Sequence, residues 1–358
     1  MQQTPTATDK QSEVDTSGER SLVSVENLQT RFAFEVGTVH AVEDVSFDLS
    51  AGKTLGVVGE SGCGKSVTAQ SIMRIVPKPG KITRGTITFR DYDNTDEAGK
   101  PDEVDLTSLD PTGERIRSIR GNKISMIFQE PMTAFSLQYR VVDQVAEPLF
   151  IHGVTDDKNE AFDRAEEMFR RVGIPRPRQV LKGYPFELSG GMRQRAMIAM
   201  ALINDPKVLI ADEPTTALDV TIQAQILTLM RSLQDRYRMS IMFITHDLGV
   251  IAQMCDEVAV MYLGRIVEQT DVRTLFKRPM HPYTWALLRS IPRLGVTKRQ
   301  KLEPIRGNVP NPYWQPKGCP FSNRCPKFMK GVCDVEEPPL AEVEPGHKVR
   351  CFLYESGR

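Results

Sequence analysis

The sequence predicts an α/β fold: a mainly parallel sheet covered by helices on both faces, preceded by a region of half-covered strands and followed by a small irregular domain. Three observations carry this. Apolar runs at 53–58, 208–211 and 241–245 alternate with helix-patterned segments, the order parallel sheets require because each crossover needs a helix. Before them, Leu22 to Leu28 and Val39 to Leu49 alternate apolar and polar residues with a period near two, as half-covered strands do. Beyond about residue 290 helical periodicity stops and proline becomes dense, at Pro304, Pro310, Pro312, Pro316, Pro320, Pro326, Pro338 and Pro339.

Taken in order, residues 1–20 are polar, charged and poor in aromatics, so they are expected to form a disordered tail. A main domain is expected over 21–270 and a C-terminal domain over 271–358. Lys53 to Val58 is a strand ending at Gly59, and Lys65 to Val76 is a helical pattern stopped by Pro77. Residues 91–114, rich in Asp, Glu, Gly and Pro, read as a solvated insertion. Residues 158–172 are helical in pattern. Ser189 to Ile203 opens on a cap-like serine and two glycines and then runs apolar, and a helix is expected at about 221–237.

The 358 residues suggest about two domains. The 46 basic and 46 acidic residues cancel, which gives no support for bulk nucleic-acid binding. No apolar run approaches the ~18 residues of a membrane span; the longest strongly apolar stretch is Ala196 to Ile203. With no signal-peptide core at the start, the chain is expected to be cytoplasmic and to reach a membrane only through a partner.

Gly59-Glu60-Ser61-Gly62-Cys63-Gly64-Lys65-Ser66, followed by Val67, fits a phosphate loop. Glycines let the backbone wrap so that N–H groups point at phosphate oxygens, and the following helix adds its positive end. Lys65 would neutralise β- and γ-phosphates and the Ser66 hydroxyl would ligate Mg²⁺. In Val208-Leu209-Ile210-Ala211-Asp212-Glu213 an apolar strand ends in two acids. Asp212 is the candidate Mg²⁺ partner, through water, and Glu213 the candidate base for an attacking water. Leu188-Ser189-Gly190-Gly191-Met192-Arg193-Gln194 places a second anion-binding helix end about 20 residues before that strand.

On these motifs, residues 22–270 resemble the nucleotide-binding subunit of an ABC transporter. The string at 188–192, the phosphate loop and Thr215-Thr216-Ala217-Leu218-Asp219 match that family, as do Gln129 in Ile127-Phe128-Gln129-Glu130-Pro131 and His246 in Ile244-Thr245-His246-Asp247. The resemblance implies a P-loop NTPase core with an antiparallel β subdomain and a helical subdomain at about 131–195. It implies that Phe32 stacks on adenine and that Gln129 reaches the metal. It also implies that two subunits pack head to tail, so that Ser189, Gly190 and Gly191 of one chain touch the nucleotide of the other, Asp219 reports across the interface, and His246 contacts the γ-phosphate.

Cys319, Cys325, Cys333 and Cys351 cluster at the far end, while Cys63 and Cys255 stand apart. In a cytoplasmic chain four thiolates suit Zn²⁺ or an iron–sulfur cluster better than disulfides. Residues 271–358 are similar to the C-terminal extension of oligopeptide and dipeptide importer ATPases, on His281-Pro282-Tyr283-Thr284, Gly318-Cys319-Pro320-Phe321, Arg324-Cys325-Pro326, Cys333 and Cys351. That resemblance implies a 4Fe–4S cluster on the four cysteines and a peripheral place on the cytoplasmic face of the cell membrane. The implied partners are a second, related ATPase, two membrane-spanning permease subunits and an extracytoplasmic substrate-binding protein, with no nucleic acid. The Gly191-Met192-Arg193-Gln194-Arg195 string is also typical of this branch. One departure is Ser136-Leu137, where the branch commonly has Asn-Pro, on the surface relatives present to membrane subunits. Soluble ABC proteins that act on nucleic acid or ribosomes usually fuse two cassettes or insert coiled coils; this chain has one cassette and no heptad run. Dipeptides, longer peptides and metal chelates all remain open as cargo.

Overall fold

The computed structural model describes residues 20–95, 99–129, 134–216, 218–290, 305, 307–311, 313 and 316–355. The expected tail, apart from Arg20, and positions 130–133 and Ala217 lie outside them. Two sheets organise the chain. A four-stranded antiparallel sheet runs in the order 37–50, 21–34, 80–95, 101–105. An eight-stranded sheet runs 341–344, 347–349, 265–271, 257–262, 54–58, 240–245, 208–212, 124–127. Its five strands from 257–262 to 124–127 are parallel neighbours, and the other three join antiparallel.

The parallel strands are mostly apolar and buried at nearly every position because both their faces are covered. Successive residues go to opposite sides. Leu55, Val57, Val208, Ile210, Met242 and Ile244 pack with Val23, Val25, Leu28 and Ile87 of the antiparallel sheet. Leu209, Ala211, Ile241, Phe243, Val258 and Val260 pack with the helical face, including Ile198, Ile226 and Met230. The strict period of two thus splits one apolar string between two cores.

Helices form where the pattern and caps agree. Asp157 and Asp219 accept N–H bonds at the starts of helices Lys158–Arg171 and Val220–Tyr237, satisfying amides that have no partner within the helix. The phosphate-loop helix is shorter than its sequence pattern. It ends at Ile72, and Arg74 sits in the left-handed region at φ 54°.

Residues 91–114 are expected as a solvated insertion, and among the described residues there all but Asp91 and Leu106 are exposed or half-exposed. The segment is nevertheless ordered on the sheet: 80–95 and 101–105 pair antiparallel, and Asp91 is 4% exposed, with the Lys123 ammonium 2.8 Å away. The paired charge lets that carboxylate bury. The C-terminal segment is joined to the main sheet and core. His347–Val349 pairs with Arg265–Asp271 and so extends the main sheet, while Cys319, Phe321, Cys333 and Phe352 share the core of the helical face.

Candidate functional site

The strand Thr54–Val58 is buried throughout and delivers Gly59 to the carboxyl edge of the sheet. A Cβ on Gly59 would lie 2.2 Å from the Met261 carbonyl oxygen. One on Gly64, at φ 103°, would lie 2.2 Å from that of Ala41. Only glycine fits at either place. Lys65 opens the helix Lys65–Ile72 and folds back, its ammonium donating to the carbonyls of Gly59 at 2.9 Å and Glu60 at 3.2 Å. Ser61, Gly62, Gly64, Lys65, Ser66 and Val67 line a cleft that Gln129 and Glu213 close from the other side. Cys63 faces away from it, buried, and burial raises its thiol pKa.

Asp212 ends a buried strand and accepts a 3.1 Å hydrogen bond from the Ser66 hydroxyl. Burial raises its carboxyl pKa, Ser66 opposes the rise, and the neighbouring Glu213 charge adds to it. A buried acid and a hydroxyl thus meet beside the phosphate loop, a donor pair that suits a hard divalent cation. Glu213 sits in the left-handed region at φ 47°, with its N–H held by the Ile244 carbonyl at 3.0 Å. Such a conformation costs about 1–3 kcal/mol and is found where surrounding structure imposes it. Its carboxylate accepts from Thr216 Oγ1 at 2.9 Å and Gln129 Nε2 at 3.1 Å, and lies 3.3 Å from His246 Nδ1. Burial alone would raise its pKa. The hydrogen bonds from Thr216 and His246, with the charges of His246 and Lys65, bring it below the usual value.

Ser189 caps the helix Gly190–Leu202 by accepting the Met192 N–H at 3.3 Å. Ser189, Gly190, Gly191 and Asp219 line a second cleft, floored by Leu218 and Ile222. Gly191 has little room, since a Cβ there would lie 3.2 Å from Ile222. The two sets of phosphate-binding candidates therefore open into separate clefts of one chain.

Phe32 does not join the first cleft. Its ring stacks with Phe34 at 6.4 Å and covers Gly80. Val39, His40, Ala41, Leu263 and Asn311 line that cleft and were not foreseen, nor was the bond from Thr216 to Glu213. The Thr215–Asp219 string marked Thr216's neighbourhood, but no sequence signal separates it from Thr215. Also unforeseen is a bidentate contact from Arg324 to Glu60 inside the phosphate loop.

Cys319 and Cys333 are tied together by the Cys319 N–H, which donates to the Cys333 carbonyl at 2.8 Å. Burial pushes Cys319 up to about 12 and Cys351 to about 11, and raises Cys325. The Lys327 amide, two residues on, donates to the Cys325 sulfur at 3.4 Å. The expected metal centre is nevertheless not assembled: among the described residues no three His, Cys, Asp or Glu side chains are grouped to hold an ion. Neutral buried thiols have no attraction that would draw them together.

Comparison with known proteins agrees with this geometry. Residues 42–216 match the ABC transporter family, and residues 267–333 match the oligopeptide/dipeptide transporter C-terminal region. The fold resembles the ATP-binding cassette MJ0796, solved as a dimer bound to ADP and Pi. The TM-score is 0.59 at 23% identity, over 70% of this chain and 99% of that one. It also resembles CbiO1 of Clostridium perfringens, with TM-score 0.56 at 27% identity, over 73% of this chain and 92% of that one.

The oligopeptide transport ATP-binding protein AppD of Bacillus subtilis is 48% identical over 336 residues, 94% of this chain and 97% of its own. The dipeptide transport ATP-binding protein DppD of the same organism is 48% identical over 335 residues, 93% and 95% of the two chains. The chain belongs to the ABC transporter ATP-binding family, in the branch of these peptide transport proteins.

Proposed function

We propose that this chain binds and hydrolyses ATP to power import of peptides through a membrane ABC transporter. The observation that carries the reading is the carboxylate of Glu213. Thr216, Gln129 and His246 hold it at the phosphate-loop cleft, beside the Ser66–Asp212 pair.

The amides of 59–66 and the Lys65 ammonium receive the β- and γ-phosphates. Ser66, Asp212 and Gln129 would hold Mg²⁺, which would supply neutralisation of phosphate charge. Glu213, held as a carboxylate, accepts the proton of the attacking water, and His246 keeps that water and the γ-phosphate in register. Ser189, Gly190 and Gly191 serve the nucleotide of a second chain, and Asp219 lies at the shared interface. The separate clefts support this division. Replacing Glu213 by Gln is expected to lower phosphate release at least about 100-fold while ATP still binds. Steady turnover in that variant contradicts the role.

The partners in this reading are a related ATPase subunit, two membrane-spanning permease subunits and an extracytoplasmic binding protein. The chain sits peripherally on the cytoplasmic face, and no described helix is long and apolar enough to cross a membrane. Exposed Phe128, Leu137, Tyr139 and Phe186 lie within or beside the helical subdomain of about 131–195 and supply an apolar docking surface for the permeases.

Cys319, Cys325, Cys333 and Cys351 are assigned to a 4Fe–4S cluster. The four-sulfur donor set and the Lys327 N–H bond to the Cys325 sulfur support it. A cluster held by them would supply a covalent staple to a segment with little regular structure. Iron and acid-labile sulfide in anaerobically purified protein are the expected finding, and stoichiometric zinc without sulfide contradicts it.

A further inference from the structure

Glu60 is an acid inside a loop that must receive a polyanion. Its carboxylate is not left to face the cleft. Arg324 holds it with two parallel hydrogen bonds, Nη1 to Oε2 at 2.7 Å and Nη2 to Oε1 at 3.0 Å. The Arg324 side chain is 3% exposed and lies near the rings of Tyr262 and Phe321. On the backbone side, the Glu60 N–H donates to the Tyr283 hydroxyl at 2.9 Å. Glu60 is thus held at both ends by residues from the C-terminal part of the chain. Arg324 also immediately precedes Cys325, and its own N–H is fixed by the carbonyl of Phe321, two residues after Cys319.

The consequence follows from charge. A planar guanidinium that meets a carboxylate in a fork fixes its direction as well as neutralising it. Without that partner a partly buried anion remains next to the phosphate site, where screening is weak. A neighbouring cation is Lys65, whose ammonium already bonds the Glu60 carbonyl. A freed Glu60 carboxylate would compete for Lys65 and repel the incoming phosphates.

We propose that Arg324 is a positioning residue for ATP: by holding Glu60 it keeps the phosphate loop receptive, and it makes nucleotide affinity depend on the segment that carries the four cysteines. The proposal rests on the reading of that loop as the ATP site. Equilibrium binding of a fluorescent ATP analogue with Mg²⁺ to the full-length chain tests it, with melting temperature measured alongside. Arg324→Gln is expected to weaken binding about tenfold while kcat at saturating ATP changes less than about threefold. Adding Glu60→Gln removes the unpaired charge and is expected to recover most of the loss, a coupling that unrelated structural damage would not produce.

Should Arg324→Gln not yield folded protein, Arg324→Lys, which keeps the charge but loses the fork, is expected to weaken binding about threefold, again with recovery by Glu60→Gln. Unchanged affinity in the Arg324 variants, or a loss that Glu60→Gln does not relieve, overturns the proposal. Wild-type protein that binds no nucleotide would instead overturn the reading of the loop itself, and this proposal with it.

Discussion

The parallel strands and the C-terminal segment both reach the phosphate loop, yet they are held by different forces. Strands 54–58, 208–212 and 240–245 are buried at every position and feed two apolar cores. Residues 316–355 contain only strands Ala341–Glu344 and His347–Val349 and the short 3₁₀ turn Phe352–Tyr354. They add Cys319, Phe321, Cys333 and Phe352 to the helical-face core and are tied down further by ion pairs, Arg324 to Glu60, Arg265 to Glu337 and Arg350 to Asp44, with His347 2.8 Å from Glu268. Apolar burial is non-directional and indifferent to protonation. Buried ionic contacts add less net stability but depend steeply on every partner being present and correctly charged. The chemistry therefore sits on a frame insensitive to conditions, and what touches it from the C-terminal side is sensitive.

Perturbing each side separately sharpens this contrast. The largest effect belongs to the frame. Phe243, fully buried in the central sheet, is expected to lose about 3–5 kcal/mol of unfolding free energy on replacement by Ala, measured by urea denaturation and equal at pH 7 and pH 5.

Acid is expected to act on the other side. His281 caps the helix Pro282–Arg289 and accepts the Tyr283 N–H at 3.0 Å, and burial pushes its pKa from 6.5 down to about 4, against the opposing pull of Glu268. Between those values the unfolded chain takes up a proton that the folded chain refuses. Stability therefore falls as pH drops from 6.5 and stops falling below about 4, by about 3 kcal/mol in all. His281→Asn, which retains a cap acceptor, is expected to flatten that part of the urea–pH profile; an unchanged profile would show that His281 is not its source.

The smallest effect is local to the chemistry. Thr216→Ala removes one of the bonds that hold Glu213 and is expected to cost about 1–2 kcal/mol in the barrier. That corresponds to a fivefold to thirtyfold fall in turnover, with ATP binding and melting temperature unchanged.

The same division explains what was legible in the sequence. Apolar strands, their order and the acids at the end of 208–212 follow from local pattern, because burial on both faces leaves an uninterrupted apolar run. The phosphate loop is legible because its glycines answer a local steric demand, visible at Gly59 and Gly64. What local pattern could not supply is long-range charge pairing. Arg324 and Glu60 are 264 positions apart, and either residue alone reads as solvated surface. Asp91 misled for the same reason, since its burial depends on Lys123. The early end of the phosphate-loop helix at Ile72, ahead of Arg74 in a left-handed conformation, breaks a pattern that the apolar spacing continued to Val76. Phe32 matched by position, but the ring environment that packs it on Phe34 was not readable from spacing.

The central claim is that one chain supplies the phosphate loop and a second supplies the Ser189–Gly191 cleft for a shared ATP. Light scattering of the Glu213→Gln chain, mixed with its partner ATPase subunit and MgATP, tests this most directly. The two are expected to associate with ATP and to separate when Lys65 is also replaced by Ala. Chains that stay apart with ATP bound would contradict the account.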